Sequence, residues 1–390
     1  MAKRDAMKHL LFIGTTLPTP GFGSSVIFYR HLKRLKDWNI TIIINIDGGK
    51  EKLPKEWSII KIPDLVSGNK KWYHLPVKSR ISLTLRLRLN YLKSIIERNL
   101  KEKPIVILNQ FGKNSILACY LSKKWKAPLN LIVHDQWNIW VKTGIESYYM
   151  EKEWEKKILN QASVIWPVSK ELGEFYKTKD KEKAKVLMPI PEGNDKGFAE
   201  WKNNFKKPTI VFAGSYHTPY VESFKLVSKA LQKLKGKLII ITKKNNLAEK
   251  EIGNYSNIEY KKPFKSNEEI IKFLKQNASC LLVPGFFNRD KKVEYDLTNF
   301  PSKLVEFSHL GLPIIIISPK GNALSNWAEK NNWIGYLDRL DKKKMIKLIK
   351  QIINRYEWVK MAQQSKIIAL NEFNPEKIQE RFERELVVKE

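Results

Sequence analysis

Short β-branched runs recur along this chain, each followed by a stretch of helical periodicity, and the series breaks once, between Met188 and Pro208. Before the break, His9 to Ile13, Ile40 to Ile46, Ile105 to Leu108, Leu129 to Val133 and Ser163 to Val168 read as strands. Helices are predicted over Ser24 to Leu35, Ile81 to Leu100 and around Leu117 to Trp125. After it, strands are predicted at Thr209 to Ala213, Lys237 to Thr242, Ile258 to Tyr260, Ala278 to Val283 and Ile314 to Ile317, with helices over Val221 to Leu234 and Asn267 to Gln276. Strands alternating with helices build parallel sheets from βαβ units. The break itself, rich in proline, glycine and charge from Pro189 to Gly197, reads as a linker. At 390 residues the chain is too long for one core, so two α/β domains of about 150 to 200 residues are expected.

No window approaches the ~20 uninterrupted apolar residues a bilayer span needs. The opening Met1-Ala2-Lys3-Arg4-Asp5 is charged, and the apolar run after Lys8 is short, which suits a first strand rather than a signal peptide. A cytoplasmic protein is expected. Cys119 and Cys280 have no metal-ligand spacing and form no C-x-x-C pair, so both read as core residues.

The segment Asn299-Phe300-Pro301-Ser302-Lys303-Leu304-Val305-Glu306-Phe307, continuing to Gly311-Leu312-Pro313 and the apolar run Ile314 to Ile317, carries chemistry. It reads as a loop stopped by Pro301, a short helix opened by Ser302, a glycine stop and a buried strand. Free N–H groups at a helix start attract an anion, and Lys303 adds a full charge. One turn on, Glu306 is placed to accept from ribose hydroxyls, so the segment suits a nucleotide diphosphate.

These residues resemble the Pro-Ser-Lys-Leu-x-Glu-Tyr/Phe…Gly-x-Pro segment of GT-B glycosyltransferases of the family-4, retaining type. The resemblance implies two Rossmann-like domains facing a cleft: an acceptor-side domain over 1–190, a linker over 191–207 and a donor-binding domain over 208–370. A C-terminal helix over 371–390 is expected to cross back to the first domain. It also implies that Ser302, Lys303, Leu304 and Glu306 hold the donor's diphosphate and ribose.

Other segments fit the same resemblance. The turn after the first strand, with Gly21, Gly23 and Ser24, is similar to the family's glycine-rich loop, although as a dinucleotide fingerprint it is poor. His134 ends a strand, where open α/β sheets bind ligands, and resembles the histidine beside the transferred sugar. It can stabilise positive charge at the anomeric carbon, with Asp135 orienting it. Gly214, Ser215 and His217 resemble the donor-side turn, and Phe264 the loop against the nucleobase. Two departures stand out. The family's arginine and lysine after this glycine are replaced by His217 and Glu222, so Lys303, Lys243 or Lys244 must supply the cation. The family's second carboxylate falls on Thr298, with Asp296 and Glu294 upstream, which leaves the donor sugar open.

The net charge of +31 exceeds what solubility needs and points to a polyanionic neighbour. Between residues 70 and 103, ten lysines and arginines, among them Lys70, Lys71, Lys78, Arg80, Arg86 and Arg88, face only Glu97 and Glu102. Trp72, Tyr73 and a ladder of Ile81, Leu85, Leu89, Leu92 and Ile96 accompany them, as a membrane-surface element requires, and part of the ladder is expected to face the protein core. The function expected is transfer of a sugar, with retention, from a nucleotide-sugar to an acceptor hydroxyl, on a membrane-linked glycolipid or polysaccharide intermediate at the inner face of the membrane. No cofactor or metal is expected, since no Asp-x-Asp tripeptide is present. Two alternatives stay open: DNA as acceptor, and a non-catalytic GT-B-like binding protein.

Overall fold

Leu10 to Ile13, Ile42 to Ile44 and Val106 to Leu108 are buried at every position, so these strands face no water on either side. That is the pattern of parallel strands with helices on both faces. The computed structural model describes residues 7–20, 24–45, 53–65, 76–137, 144–176, 183–191, 197–243, 252, 255–287 and 295–388. The chain divides into two units: Met1–Met188 with Ile378–Glu390, and Pro189–Lys377.

In the first unit the strands are β1 (Lys8–Ile13), β2 (Trp38–Asn45), β3 (Ser58–Ile62), β4 (Val106–Gln110), β5 (Leu129–Val133) and β6 (Val164–Pro167). They pair in the order β3-β2-β1-β4-β5-β6, every pair parallel. In the second unit β7 (Thr209–Ala213), β8 (Lys237–Ile241), β9 (Ile258–Lys261), β10 (Cys280–Pro284), β11 (Ile314–Ile317) and β12 (Tyr336–Leu337) pair in the order β12-β11-β10-β7-β8-β9, again all parallel. Each unit is thus an α/β Rossmann-like domain of six strands. In each sheet the chain runs outward through three strands and then returns to the other side of the first. The strand order therefore reverses between β1 and β4, and between β7 and β10. Such reversals open a crevice at the carboxyl ends of the strands.

Most strands lie within two residues of the sequence reading. The exceptions have physical reasons. β3 is an edge strand whose exposure is mixed (Ser58, Ile59 and Lys61 out, Ile60 and Ile62 in), so it lacks the continuous apolar run of the others. β12 is two residues long. The long basic helix begins at Val77, four residues earlier than its apolar ladder, directly after Pro76, whose fixed φ suits a helix entry. Cys119 and Cys280 are both buried free thiols.

That helix, Val77–Asn99, turns four members of the ladder to the core. Leu85, Leu89, Leu92 and Ile96 are buried and face the core. Among the described side chains of this helix, the apolar line left in water is Leu83, Leu87 and Tyr91, at i, i+4 and i+8, with exposures of 41, 54 and 52%. Arg86 beside it is exposed, and the Arg88 guanidinium lies 5.5 Å from the Tyr91 ring centre. Lys70, Lys71, Trp72 and Tyr73 lie outside the described residues, as do the side chains of Lys78, Arg80 and Ile81. Among the described residues no helix is long and apolar enough to cross a membrane.

The last helix, Pro375–Glu385, completes the first unit. Phe382 is fully buried between the rings of Trp166, 4.8 Å away, and His31, 5.0 Å away. Beyond the helix, Val387 and Asn130 exchange two hydrogen bonds: Val387 N–H donates to Asn130 Oδ1 at 3.0 Å, and Asn130 Nδ2 to the Val387 carbonyl at 2.8 Å. Burying one phenylalanine side chain is worth about 2 to 3 kcal/mol, so this return of the chain is part of the first unit's core.

Candidate functional site

Polar and charged side chains gather at the reversal point of each sheet. In the second unit, β7 is followed by Gly214, whose N–H donates to the Ile241 carbonyl at 2.9 Å and whose φ is +150°. A β-carbon at this position would overlap the Lys303 side chain. Lys303 lies in the first turn of the helix Ser302–Ser308, which Pro301 precedes without a capping side chain. Leu304 and Phe307 are buried and pin this short helix to the core.

Lys303 is half-buried, and burial lowers its pKa. Among the described residues no carboxylate lies within 4 Å of it. An ammonium withdrawn from water without a counter-ion is unfavourable, and an incoming anion removes that cost. His217 lies in the loop after β7, its pKa lowered first by burial and then by the Lys303 charge. Its ring packs edge-on against Tyr220 at 5.4 Å and against Phe286 at 5.8 Å. Phe286 follows β10, so this cluster spans the β7/β10 reversal.

The remaining donor-side residues belong to the same unit. Ser215 is exposed and Glu306 half-buried, one turn beyond Ser302. Lys243 is exposed just past β8, and Phe264 packs on Phe273 with ring centres 5.1 Å apart. Glu222 is engaged elsewhere, in an ion pair with Lys225 at 2.9 Å. Lys244 and Glu294 lie outside the described residues, as does the Asp296 side chain, whereas Thr298 is buried.

In the first unit, His134 directly follows β5. Its ring lies flat on Phe28, with centres 4.9 Å apart and planes 12° apart. Nε2 is buried and has no hydrogen-bond partner among the described residues. Burial lowers the pKa to about 4, so the imidazole is neutral near pH 7. Asp135 beside it is half-buried. Gly21 and Gly23 lie outside the described residues, and Ser24 opens the helix Ser24–Arg34 without a described side chain.

The structure also brings together residues that the sequence did not single out. Gln110, last in β4, accepts at Oε1 from the N–H groups of Thr15 and Thr16, each at 3.1 Å, across the β1/β4 reversal. Asn114 Nδ2 donates to the Gly14 carbonyl at 2.8 Å and to Asn45 Oδ1 at 3.0 Å. Asn45 Nδ2 donates to Asp64 Oδ1. Lys113 Nζ reaches Asp64 Oδ2 at 3.3 Å. These residues come from the ends of β1, β2 and β4, from the turn after β3, and from the loop before the helix Ser115–Trp125. No motif spacing links them; the signal available was an amide or acid just past each strand. Among the described residues no group of three or more His, Cys, Asp or Glu is placed to hold a metal ion.

No protein-family model matches the sequence, and no curated protein does. Solved structures match over nearly the whole chain. Sucrose-phosphate synthase from Thermosynechococcus elongatus superposes with a TM-score of 0.68 at 11% identity, covering 97% of this chain and 98% of that one. HepE from Anabaena, in complex with UDP and glucose, gives 0.64 at 12% identity, covering 97% and 98%. WaaG, a glycosyltransferase involved in lipopolysaccharide biosynthesis, gives 0.62 at 13% identity, covering 97% and 99%. At these identities the likeness establishes the fold: two Rossmann-like units arranged along the chain as in GT-B glycosyltransferases.

Proposed function

We propose that this chain transfers a sugar from a nucleotide-sugar donor to an acceptor hydroxyl. The observation that carries the reading is Lys303: a half-buried ammonium with no carboxylate partner among the described residues, fitted against Gly214 at the reversal point of the second sheet. An anion of the size of a diphosphate fits that chemistry, with Ser302 and Ser215 donating beside it. Glu306, one turn on, takes the ribose hydroxyls. HepE, which shares the fold, was solved with UDP bound, which supports a nucleoside diphosphate as the anion.

As the glycosidic bond to the diphosphate breaks, negative charge grows on the leaving oxygen and positive charge on the anomeric carbon. Lys303 neutralises the first, without need of a metal. His134, neutral near pH 7, meets the second with its ring or with the carbonyl behind it, and Asp135 orients it. Retention of configuration is the outcome we assign by resemblance to family 4. For the acceptor we favour a membrane-linked glycolipid or polysaccharide intermediate at the inner membrane face. The exposed line Leu83, Leu87 and Tyr91 among cations supports a bilayer over duplex DNA, whose phosphates need no leucine stripe.

Calorimetry with UDP, GDP and dTDP on wild type, Lys303→Gln and Glu306→Gln tests the reading. One nucleotide is expected to bind wild type, and each variant to lose about 1 to 3 kcal/mol of that binding. Equal affinity in folded variants refutes the assignment.

A further inference from the structure

The reversal point of the first sheet holds a constellation that the donor chemistry leaves unused. From β1 to β3 a chain of hydrogen bonds runs outward from the Gly14 carbonyl through Asn114 and Asn45 to Asp64. Lys113 clamps the other carboxylate oxygen, and the Asp64 carbonyl accepts from Arg88 Nε at 3.1 Å. The Asp64 side chain nevertheless stays half in water, at 49% exposure. A carboxylate has about four lone-pair positions, and the described partners occupy two. The result is a fixed, water-facing acceptor group, with amides behind it that hold it still.

The other half of the constellation is aromatic. Phe111, directly after β4, is half-exposed. Two rings brace it edge-on: Trp137 at 5.2 Å and Tyr176 at 5.3 Å, and the Tyr176 hydroxyl accepts from the backbone N–H of Trp137 at 2.9 Å. Its own N–H donates to the Ile132 carbonyl at 2.9 Å, one strand from His134. Next to it Gly112, with φ +154°, presents bare backbone, and a β-carbon there would meet no atom within 4 Å. A rigid aromatic face, bare backbone and an oriented carboxylate are the groups that recognise a sugar, which has an apolar face of C–H groups and a rim of hydroxyls.

Spacing sets the size of that ligand. The Asp64 carboxylate is tied to Asn45 at the end of β2, and Phe111 follows β4, two positions away in the sheet, so about 10 Å separates those strand ends at the usual inter-strand distance. One sugar ring does not span that. We propose that the carboxyl edge of the first sheet binds an acceptor that is already an oligosaccharide, with one ring on Phe111 beside His134 and a more distant ring on Asp64. The inference rests on the sugar-transfer reading and narrows it to elongation of a glycan rather than addition of a first sugar.

The test is calorimetry and saturation-transfer NMR on the full chain. The probes are mono-, di- and trisaccharides of the gluco, galacto, manno and N-acetylhexosamine series, with UDP titrated separately. At least one trisaccharide is expected to bind about tenfold or more tighter than its monosaccharide. Phe111→Leu and Asp64→Asn should each weaken it about tenfold while UDP affinity and melting temperature stay at wild-type values. Binding of no oligosaccharide, equal affinity for mono- and trisaccharide, or binding indifferent to both substitutions overturns the proposal. Failure of wild type to bind any nucleotide would instead strike the donor reading, so the two failures are separable.

Discussion

Gly214 and Lys303 share a volume that only a residue without a side chain allows: the lysine's Cε sits where a β-carbon of residue 214 would project. The two residues are 89 positions apart in the chain, and neither explains the other until β7 and the helix Ser302–Ser308 are placed side by side. The first prediction follows. Gly214→Ala must displace the lysine and strain a backbone at φ +150°, so nucleotide affinity should fall by tenfold or more with the core of the second unit intact. Calorimetry with the nucleotide that binds wild type reads the loss, and an unchanged affinity would show that Lys303 is not at the anion.

His134 belongs to the first unit, and the residues assigned to the anion belong to the second. His134→Ala is expected to lower kcat about a hundredfold while nucleotide affinity stays near wild type. A histidine with only a packing role on Phe28 would behave otherwise: melting temperature would drop and kcat per folded molecule would hold.

His31 gives the protein a sensitivity to acid. It is fully buried, donates from Nδ1 to Gln379 Oε1 at 3.2 Å, and its pKa is lowered to about 3, chiefly by burial. In the unfolded chain it titrates near 6.5. The native state therefore binds fewer protons than the unfolded state between those values, and stability falls as pH drops from about 6.5 toward 3. Thermal melts from pH 8 to pH 4 should show this decline. His31→Phe should flatten it without abolishing it, because His134 is lowered to about 4 by the same cause. An identical slope in the variant would assign the acid sensitivity to other groups.

The line Leu83, Leu87 and Tyr91 should act as a lipid contact. Replacing all three by serine is expected to reduce flotation with anionic vesicles severalfold, and to leave nucleotide binding unchanged. If flotation persists while duplex DNA binding is lost, DNA replaces the membrane as the polyanion.

Much of this architecture is legible in the sequence because buried parallel strands announce themselves. Ile314 to Ile317 and Leu129 to Val133 are uninterrupted apolar runs, and the structure keeps them as strands. The phase of the basic helix was legible only in part. Leu83 and Leu87 belong to the same leucine-rich stretch as Leu85 and Leu89, and only packing tells which line meets the core. Lys303 could be read as a site residue because a helix start and a lysine lie together in the chain. The chain of amides from Gly14 to Asp64 could not, since its members come from different strand ends and no spacing is required between them.

The return of the C-terminal segment also governs the order in which this protein can be made. Residues 1–188 leave the ribosome first, yet the ring that fills the gap between Trp166 and His31 belongs to Phe382. The earlier unit must wait, unfinished, through synthesis of the whole later one, and only then can its core close. A stop codon a dozen residues early would thus damage the part of the chain made first, and a fragment ending at Met188 should be an aggregation-prone product rather than a usable domain.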